Sequence, residues 1–323
     1  MLSRKEFVVE DFRLLKLRIF TIGYSSEGES ILGIIDDRHK HLFSFVVDSY
    51  QIGNKEGFMF NATLEKLKEL GICSIDAFIW THPDDDHSKG IETLLATFDK
   101  EAKAAIFLPA MLNGELDITD ETRANLDYLF YNYNRGTKYN MNMVVKNQNM
   151  DCSALKLTFK ERRSGRIIAA VFHFLAPAGA RLLRETCVNK SFKFNRMSIM
   201  FSLRFNHFDY LFCGDLMGDD VQFLDKEFLK NVQFVKIPHH GSYHTKQLPE
   251  LFVRQNTNHV VATTTTFAKS NLPDKKTIEM YKPFCKGVYS TSNGSHKHSC
   301  IETSFNILDL SSNVVLSGNA KPV

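Results

Sequence analysis

Ten consecutive residues, Thr81-His82-Pro83-Asp84-Asp85-Asp86-His87-Ser88-Lys89-Gly90, hold two imidazoles and three carboxylates within six positions. Imidazole and carboxylate are the ligands of hard and borderline divalent cations. In an extended stretch, side chains alternate, so His82, Asp84 and Asp86 would project to one side. His87 would then turn in from the start of the following helix. Four ligands from one short loop could serve two adjacent metals. The competing reading is a surface acidic loop with capping aspartates. A second string, Gly214-Asp215, follows the apolar run Phe208–Cys213. A buried strand that ends in a carboxylate is costly unless the carboxylate meets a cation. The third is Ile237-Pro238-His239-His240-Gly241-Ser242, where the glycine permits a sharp turn and a close backbone approach.

The elements that must position these strings are legible from patterning. Strands are expected over 14–22, 30–35, 42–47, 75–80, 198–205, 209–213, 232–237, 259–263 and 286–290. The pair 198–205 and 209–213 reads as a hairpin turning at Asn206-His207. Helices are expected over 61–70, where Asn61 can cap the start and Gly71 the end, near 90–99, over 119–131 and near 275–281. The run Ile75–Trp80 is apolar throughout, which suits a central strand buried on both faces. Asp48, His82, Asp215 and the His239-His240 pair each follow an apolar strand. That common placement separates a site from scattered polar residues, and it predicts a layered α/β protein with chemistry at the strand termini.

Composition narrows the rest. The chain has 323 residues with 43% hydrophobic and 24% charged, which excludes a disordered, collagen-like or coiled-coil protein as the main state. The 27 phenylalanines fall largely in β-like runs and predict an aromatic core. No stretch of 18 apolar residues and no secretory leader is evident, and the six scattered cysteines form no CxxC pair. A cytoplasmic location is therefore expected. The net charge of +3 is small, but residues 151–204 carry eleven Lys/Arg against three acidic residues, a local excess of +8 that permits an anion-binding face.

These motifs resemble the metallo-β-lactamase superfamily, and within it the subgroup typified by the C-terminal domain of the bacterial competence DNA-uptake channel protein. The likeness is carried by the opening loop Gly23–Ser30, Asp48, the loop 81–90 as H-x-[HD]-x-D-H, and Asn195-x-x-Ser198. Cys213-Gly214-Asp215, residues 237–242 and Tyr289–Ser295 complete it. It runs from about residue 14 to about 310 and is weakest over 100–170. It implies an αββα sandwich, two mixed sheets flanked by helices, formed by one domain over 1–323 with a divergent segment at about 100–170. It further implies two divalent cations, Zn²⁺ or Mn²⁺. His82 and Asp84 would hold the first, Asp86 and His87 the second. Asp215 would bridge them, His239 or His240 would complete the second site, and Asp48 would orient the histidine loop. Asp84 stands where most of the superfamily has histidine, and Asn195 and Ser198 fall where many members supply another. Oxygen-rich coordination of the first cation suits Mn²⁺ at least as well as Zn²⁺.

The function expected from the resemblance is hydrolysis of a phosphodiester in DNA or RNA, by hydroxide generated between two cations and oriented by Asp86 or Asp215. Asn195, Ser198 and Ser242 would contact phosphate oxygens. Tyr128, Tyr131, Tyr133 and Tyr139, near Arg135 and Lys138, could stack on bases or serve packing. A small-molecule hydrolase acting on a lactone, thioester or cyclic nucleotide would use the same metals. A third reading is a metal-site subunit of a multi-protein defence or DNA-processing assembly, with protein partners. His244, His296 and His298 are expected to be solvent-exposed. Asn271-Leu272-Pro273-Asp274 lacks the histidine that often follows in the competence subgroup.

Overall fold

The computed structural model describes residues 3–38, 40–53, 57–98, 104–110, 118–133, 141–146, 153–180, 182, 193–252 and 259–323. Two large mixed sheets dominate it. The eight-stranded sheet runs in the order Ser312–Ser317, His298–Asn306, Leu15–Tyr24, Glu29–Asp37, Lys40–Val47, Ala77–Ile79, Ala105–Pro109 and Met141–Val144. The nine-stranded sheet runs Ser3–Val9, Ser153–Glu161, Ile167–Ala176, Met200–Phe205, Phe208–Phe212, Val232–Lys236, Val261–Thr264, Gly287–Ser290 and Lys321–Pro322.

Within each sheet a block of four parallel strands matters for function. In the first it is Lys40–Val47, Ala77–Ile79, Ala105–Pro109 and Met141–Val144. In the second it is Phe208–Phe212, Val232–Lys236, Val261–Thr264 and Gly287–Ser290. Asp48 and His82 follow strands of the first block, and Asp215, His239 and Thr265 follow strands of the second.

One face of each sheet contributes to a shared core. Phe45 of the eight-stranded sheet meets Phe172 and Phe212 of the nine-stranded sheet edge-on, with ring centroids 5.3 and 5.4 Å apart. Phe201 stacks on Phe212 at 4.7 Å. Such offset and perpendicular contacts are the ones the ring quadrupole favours, and the aromatic core expected from composition is present. The other face of the eight-stranded sheet buries Phe20, Leu32, Val46, Phe78 and Ile106 under the helices Ala62–Glu69, Ile91–Phe98 and Asp120–Tyr133. The opposite face of the second sheet buries Leu211, Val235 and Ala262 under the helix Lys275–Tyr281 and several short 3₁₀ turns. No helix among the described residues is long and apolar enough to cross a membrane.

The expected strands and helices recur within a few residues of their predicted bounds, including the turn at Asn206-His207. One expectation is corrected. Asp86 does not lie in an extended stretch, and His87 does not open the long helix. Asp85–Ser88 form a separate helical turn, begun at Asp84 and ended before Gly90, whose φ of +84° breaks the chain direction ahead of Ile91–Phe98. The alternation argument therefore holds only for His82 and Asp84. Asp86 and His87 reach the same place because a helical turn swings them back, with the His87 amide donating to the Asp84 carbonyl at 3.0 Å. Of the weakly patterned 100–170 region, residues 100–103, 111–117, 134–140 and 147–152 lie outside the described residues, and with them Tyr139, Arg135 and Lys138.

Candidate metal centre

The loops after the parallel strands are tied to one another by backbone hydrogen bonds. The Asp48 amide donates to the Ile79 carbonyl at 2.9 Å, the Ile199 amide to Thr81 at 3.0 Å, and the His239 amide to Gly214 at 3.0 Å. Gly214 has a φ of +48°, and a Cβ there would sit 2.4 Å from the Ser198 hydroxyl. A side chain at this position would push the loops apart. Asp48, His239 and His240 also adopt left-handed backbone, with φ of 57°, 49° and 50°. Such conformations cost roughly 1–3 kcal/mol each and persist where the surroundings enforce them.

Three imidazoles have their tautomers set by this scaffold. The Asp48 carboxylate accepts from the Thr81 amide and hydroxyl, each at 2.7 Å, and from His87 Nδ1 at 2.7 Å. The Thr81 hydroxyl has one proton and gives it to Asp48, so its contact with His82 Nδ1 at 2.9 Å must be donated by the imidazole. His240 repeats the pattern. Thr265 gives its hydroxyl proton to Glu29, and His240 Nδ1 therefore donates to the Thr265 oxygen at 2.8 Å. In all three rings Nδ1 is committed as a donor, so Nε2 is the nitrogen that ligates a metal once it has given up any proton, as His240 Nε2 must before it can leave its hydrogen bond to Asp86 at 3.0 Å.

The three Nε2 atoms point at three carboxylates. His82 Nε2 lies 3.4 Å from Asp84 Oδ2 and 3.9 Å from Asp215 Oδ2. His87 Nε2 lies 3.4 Å from Asp215 Oδ1 and 3.6 Å from Asp86 Oδ2. His240 Nε2 lies 3.0 Å from Asp86 Oδ2 and 4.0 Å from Asp215 Oδ2. Asp215 thus stands between the two histidines of the loop, and Asp86 between His87 and His240. His82, His87, Asp215 and His240 are buried, and His82 Nε2, His87 Nε2 and Asp215 Oδ1 have no hydrogen-bond partner. Buried polar atoms left unpaired are costly. Here they face one another with ligand chemistry, and His82, His87 and Asp215 converge within 4.8 Å. The donor set fits divalent cations.

The electrostatics agree. Burial works against a charged His87, but Asp215, Asp86 and Asp48 outweigh it and hold the imidazole well above its ordinary range. Burial and His87 oppose the His82 charge, while Asp84 and Asp215 raise it. Burial likewise opposes the Asp215 and Asp86 carboxylates, yet the surrounding imidazoles, His87 first, hold both below the usual carboxylate range.

The remaining predicted residues fall into place around this centre. Of the two adjacent histidines, His240 reaches Asp86. His239 stands further out, its side chain 24% exposed and its Nε2 3.8 Å from Asp215 Oδ2. Burial, reinforced by the neighbouring imidazoles and only partly opposed by Asp215, pushes His239 below its ordinary range. Asn195 donates to Asp215 Oδ2 at 3.1 Å. The Ser198 hydroxyl accepts from the Asp215 amide at 2.8 Å, and the Ser242 hydroxyl from the His244 amide at 3.4 Å, so both hold backbone in place. His244 and His296 are exposed, while His298 is half-buried with its ring 5.1 Å from that of Phe60. Tyr128 packs against the helix-side core, and Tyr131 is exposed.

Of the basic segment, Lys193 and Arg196 flank Asn195 beside this centre, with Arg196 paired to Asp219 at 3.3 Å. Arg162, Arg163 and Arg166 lie on the hairpin turn after Ser153–Glu161, and Arg204 pairs with Asp209 at 2.6 Å. Arg181, Arg184 and Lys190 lie outside the described residues.

Four positioning residues were not singled out from the sequence: Thr81, Thr265, Glu29 and Lys236. Glu29, from the eight-stranded sheet, and Lys236, from the nine-stranded sheet, are buried and form an ion pair at 2.7 Å. Burial opposes the Glu29 charge, but Lys236, with His240 and His87, outweighs it and holds the carboxyl low. A signal existed. Lys236 interrupts the largely apolar run Val232–Ile237, and a lysine in a buried strand requires a partner. No protein-family model matches the chain, and no curated protein matches it.

Proposed function

We propose that the protein is a metal-dependent phosphodiester hydrolase with the αββα sandwich of the metallo-β-lactamase superfamily, acting on DNA or RNA. The observation that carries the reading is the set of three imidazoles, each held through Nδ1, whose Nε2 atoms face Asp84, Asp86 and Asp215. His82, Asp84 and Asp215 would hold one divalent cation, and Asp86, His87, His240 and Asp215 a second. Bound cations supply Lewis acidity to a phosphoryl oxygen and acidify water near neutral pH. The chain's own groups do the rest. Asp48 and Glu29 hold the imidazoles in their ligating tautomer. Asn195 restrains Asp215 Oδ2. His239, neutral and partly open to solvent, is placed to donate or accept a hydrogen bond at a phosphate oxygen.

A second reading is a compact substrate such as a cyclic nucleotide, which would use the same metal ligands. Both readings are tested with purified protein, Mn²⁺ or Zn²⁺, labelled single- and double-stranded DNA and RNA, and a cyclic dinucleotide. Cleavage that disappears in the His82→Ala/Asp86→Ala double variant is expected. Equal turnover by that variant would sink the proposal.

The raised histidines carry a pH consequence. The carboxylates around them hold His82 and His87 of the metal-free protein above the ordinary imidazole range, so a cation must displace protons there. Apparent affinity should therefore rise with pH until their raised pKa values are passed, with net proton release at pH 7. Titration calorimetry in buffers of different ionisation enthalpy measures that release, and none at neutral pH would count against the ligand set.

A further inference from the structure

A second polar cavity lies at the far end of the sheets. Its volume is about 620 Å³, and its walls come from the Glu10–Arg13 turn, the Arg38 hairpin turn, the Glu161–Arg166 turn and Leu308. The strand Lys40–Val47 runs from the Arg38 turn to Asp48. Eight residues at about 3.3 Å each put the cavity about 25 Å from the candidate metal centre.

The lining is almost wholly charged, and its charges are unequally engaged. Asp11 is taken by Arg13, whose Nε donates to it at 2.8 Å and whose backbone amide it caps at 2.8 Å. Glu10 is taken by Arg162 at 2.7 Å. Glu161 accepts from the Phe12 amide at 3.1 Å and from the Ser164 hydroxyl. Arg38, Arg163 and Arg166 have no carboxylate within ion-pair distance among the described residues. Arg38 is further held by left-handed backbone, φ 57°, with its amide donating to the Leu14 carbonyl at 3.2 Å. Three guanidinium groups with no carboxylate within ion-pair distance therefore line one cavity; Arg166 lies over the Phe12 ring at 5.9 Å, and Asp37 behind Arg38 accepts from the Glu10 amide at 3.1 Å through one oxygen while the other has no partner among the described residues. Two of these arginines belong to the basic segment noted in the sequence.

We infer that this cavity binds a small anion carrying two or three phosphate groups. A guanidinium presents a planar fork of donors that matches phosphate oxygens bidentately. Three forks exceed the need of a single phosphate, and the volume falls in the range of small-ligand sites. Leu308 alone among the lining residues is apolar, so recognition rests on charge and not on a base or an acyl chain. The site is independent of the metal centre and does not require its assignment.

The test is calorimetric titration of the full chain, treated with chelator, with sodium tripolyphosphate at near-physiological salt. One saturable site is expected. Arg38→Gln/Arg163→Gln/Arg166→Gln should weaken it at least about 100-fold, while Asp215→Asn should bind as the unaltered protein does. Thermal melting confirms that the triple variant is folded, and each single Arg→Gln variant should lose part of the affinity should the triple one fail to fold. ATP is the second probe. Affinity equal to that of tripolyphosphate assigns the cavity to a free phosphate chain, and tighter binding assigns it to the tail of a nucleotide; both uphold the site. Absence of saturable binding, or affinity unchanged across the arginine variants, would overturn it.

Discussion

Asp215→Asn is expected to remove cation binding and hydrolysis together, lowering turnover by about a thousandfold, or ~4 kcal/mol of transition-state stabilisation. The reason is positional. Asp215 is the one carboxylate within 4 Å of His82, His87, His239 and His240. It lies at the end of the strand Phe208–Phe212, where Gly214 allows the close approach and Ser198 and Asn195 fix the backbone and one oxygen. Asparagine keeps that shape and loses the charge, so the fold should survive while the cations are released. Turnover measured at saturating Mn²⁺ and Zn²⁺, alongside the metal content of the dialysed protein, checks this. A variant that retained both metal and activity would show that the buried carboxylate is structural.

Glu29→Gln carries the second large effect, and here stability and metal affinity move together. Removing one member of a buried ion pair leaves the other charge without compensation, at about 3–5 kcal/mol. Lys236 is fully buried, and its Nζ otherwise reaches only the Ile237 carbonyl at 3.1 Å. Glu29 is also the acceptor that turns the Thr265 hydroxyl away from His240, so its loss should loosen the His240 tautomer and weaken cation affinity by about 10–100-fold. Adding Lys236→Met removes the orphaned charge. The double variant should recover most of the stability in chemical denaturation while cation affinity stays low. If the double variant regained full affinity as well, Glu29 would be a packing device and not a positioning residue.

The parts of this centre that sequence alone exposes are those where one segment carries its own explanation. Two histidines and three aspartates crowded after the apolar run Ile75–Trp80 have few alternative purposes. Polar clusters after the strands ending near 212 and 237 are visible in the same way. What stays hidden depends on distance in the chain. Thr81 is unremarkable until Asp48 is beside it, and Thr265 is one of four consecutive threonines until Glu29 and His240 flank it, from 236 and 25 residues away. The choice between His239 and His240 follows from two successive left-handed residues, which no periodicity announces. The helical turn Asp85–Ser88 was hidden because its short polar run carries no apolar periodicity to separate a turn of helix from an extended loop. The strands Ser3–Val9, Ser153–Glu161 and Ile167–Ala176 were missed for another reason. The first forms the sheet edge, and it and Ser153–Glu161 mix charged with apolar residues, so their pattern competes with that of a solvated loop; Ile167–Ala176 is apolar but for His173, and there the run itself was a strand signal.

The central claim is that side chains from three separate loops form a cage for divalent cations. Anomalous diffraction from crystals grown with Mn²⁺ or Zn²⁺ tests it most directly. Two peaks are expected, one near His82 Nε2 and Asp84, the other among Asp86, His87 Nε2 and His240 Nε2, with Asp215 between them. Maps without anomalous density at either position, from protein saturated with both metals, would contradict the account.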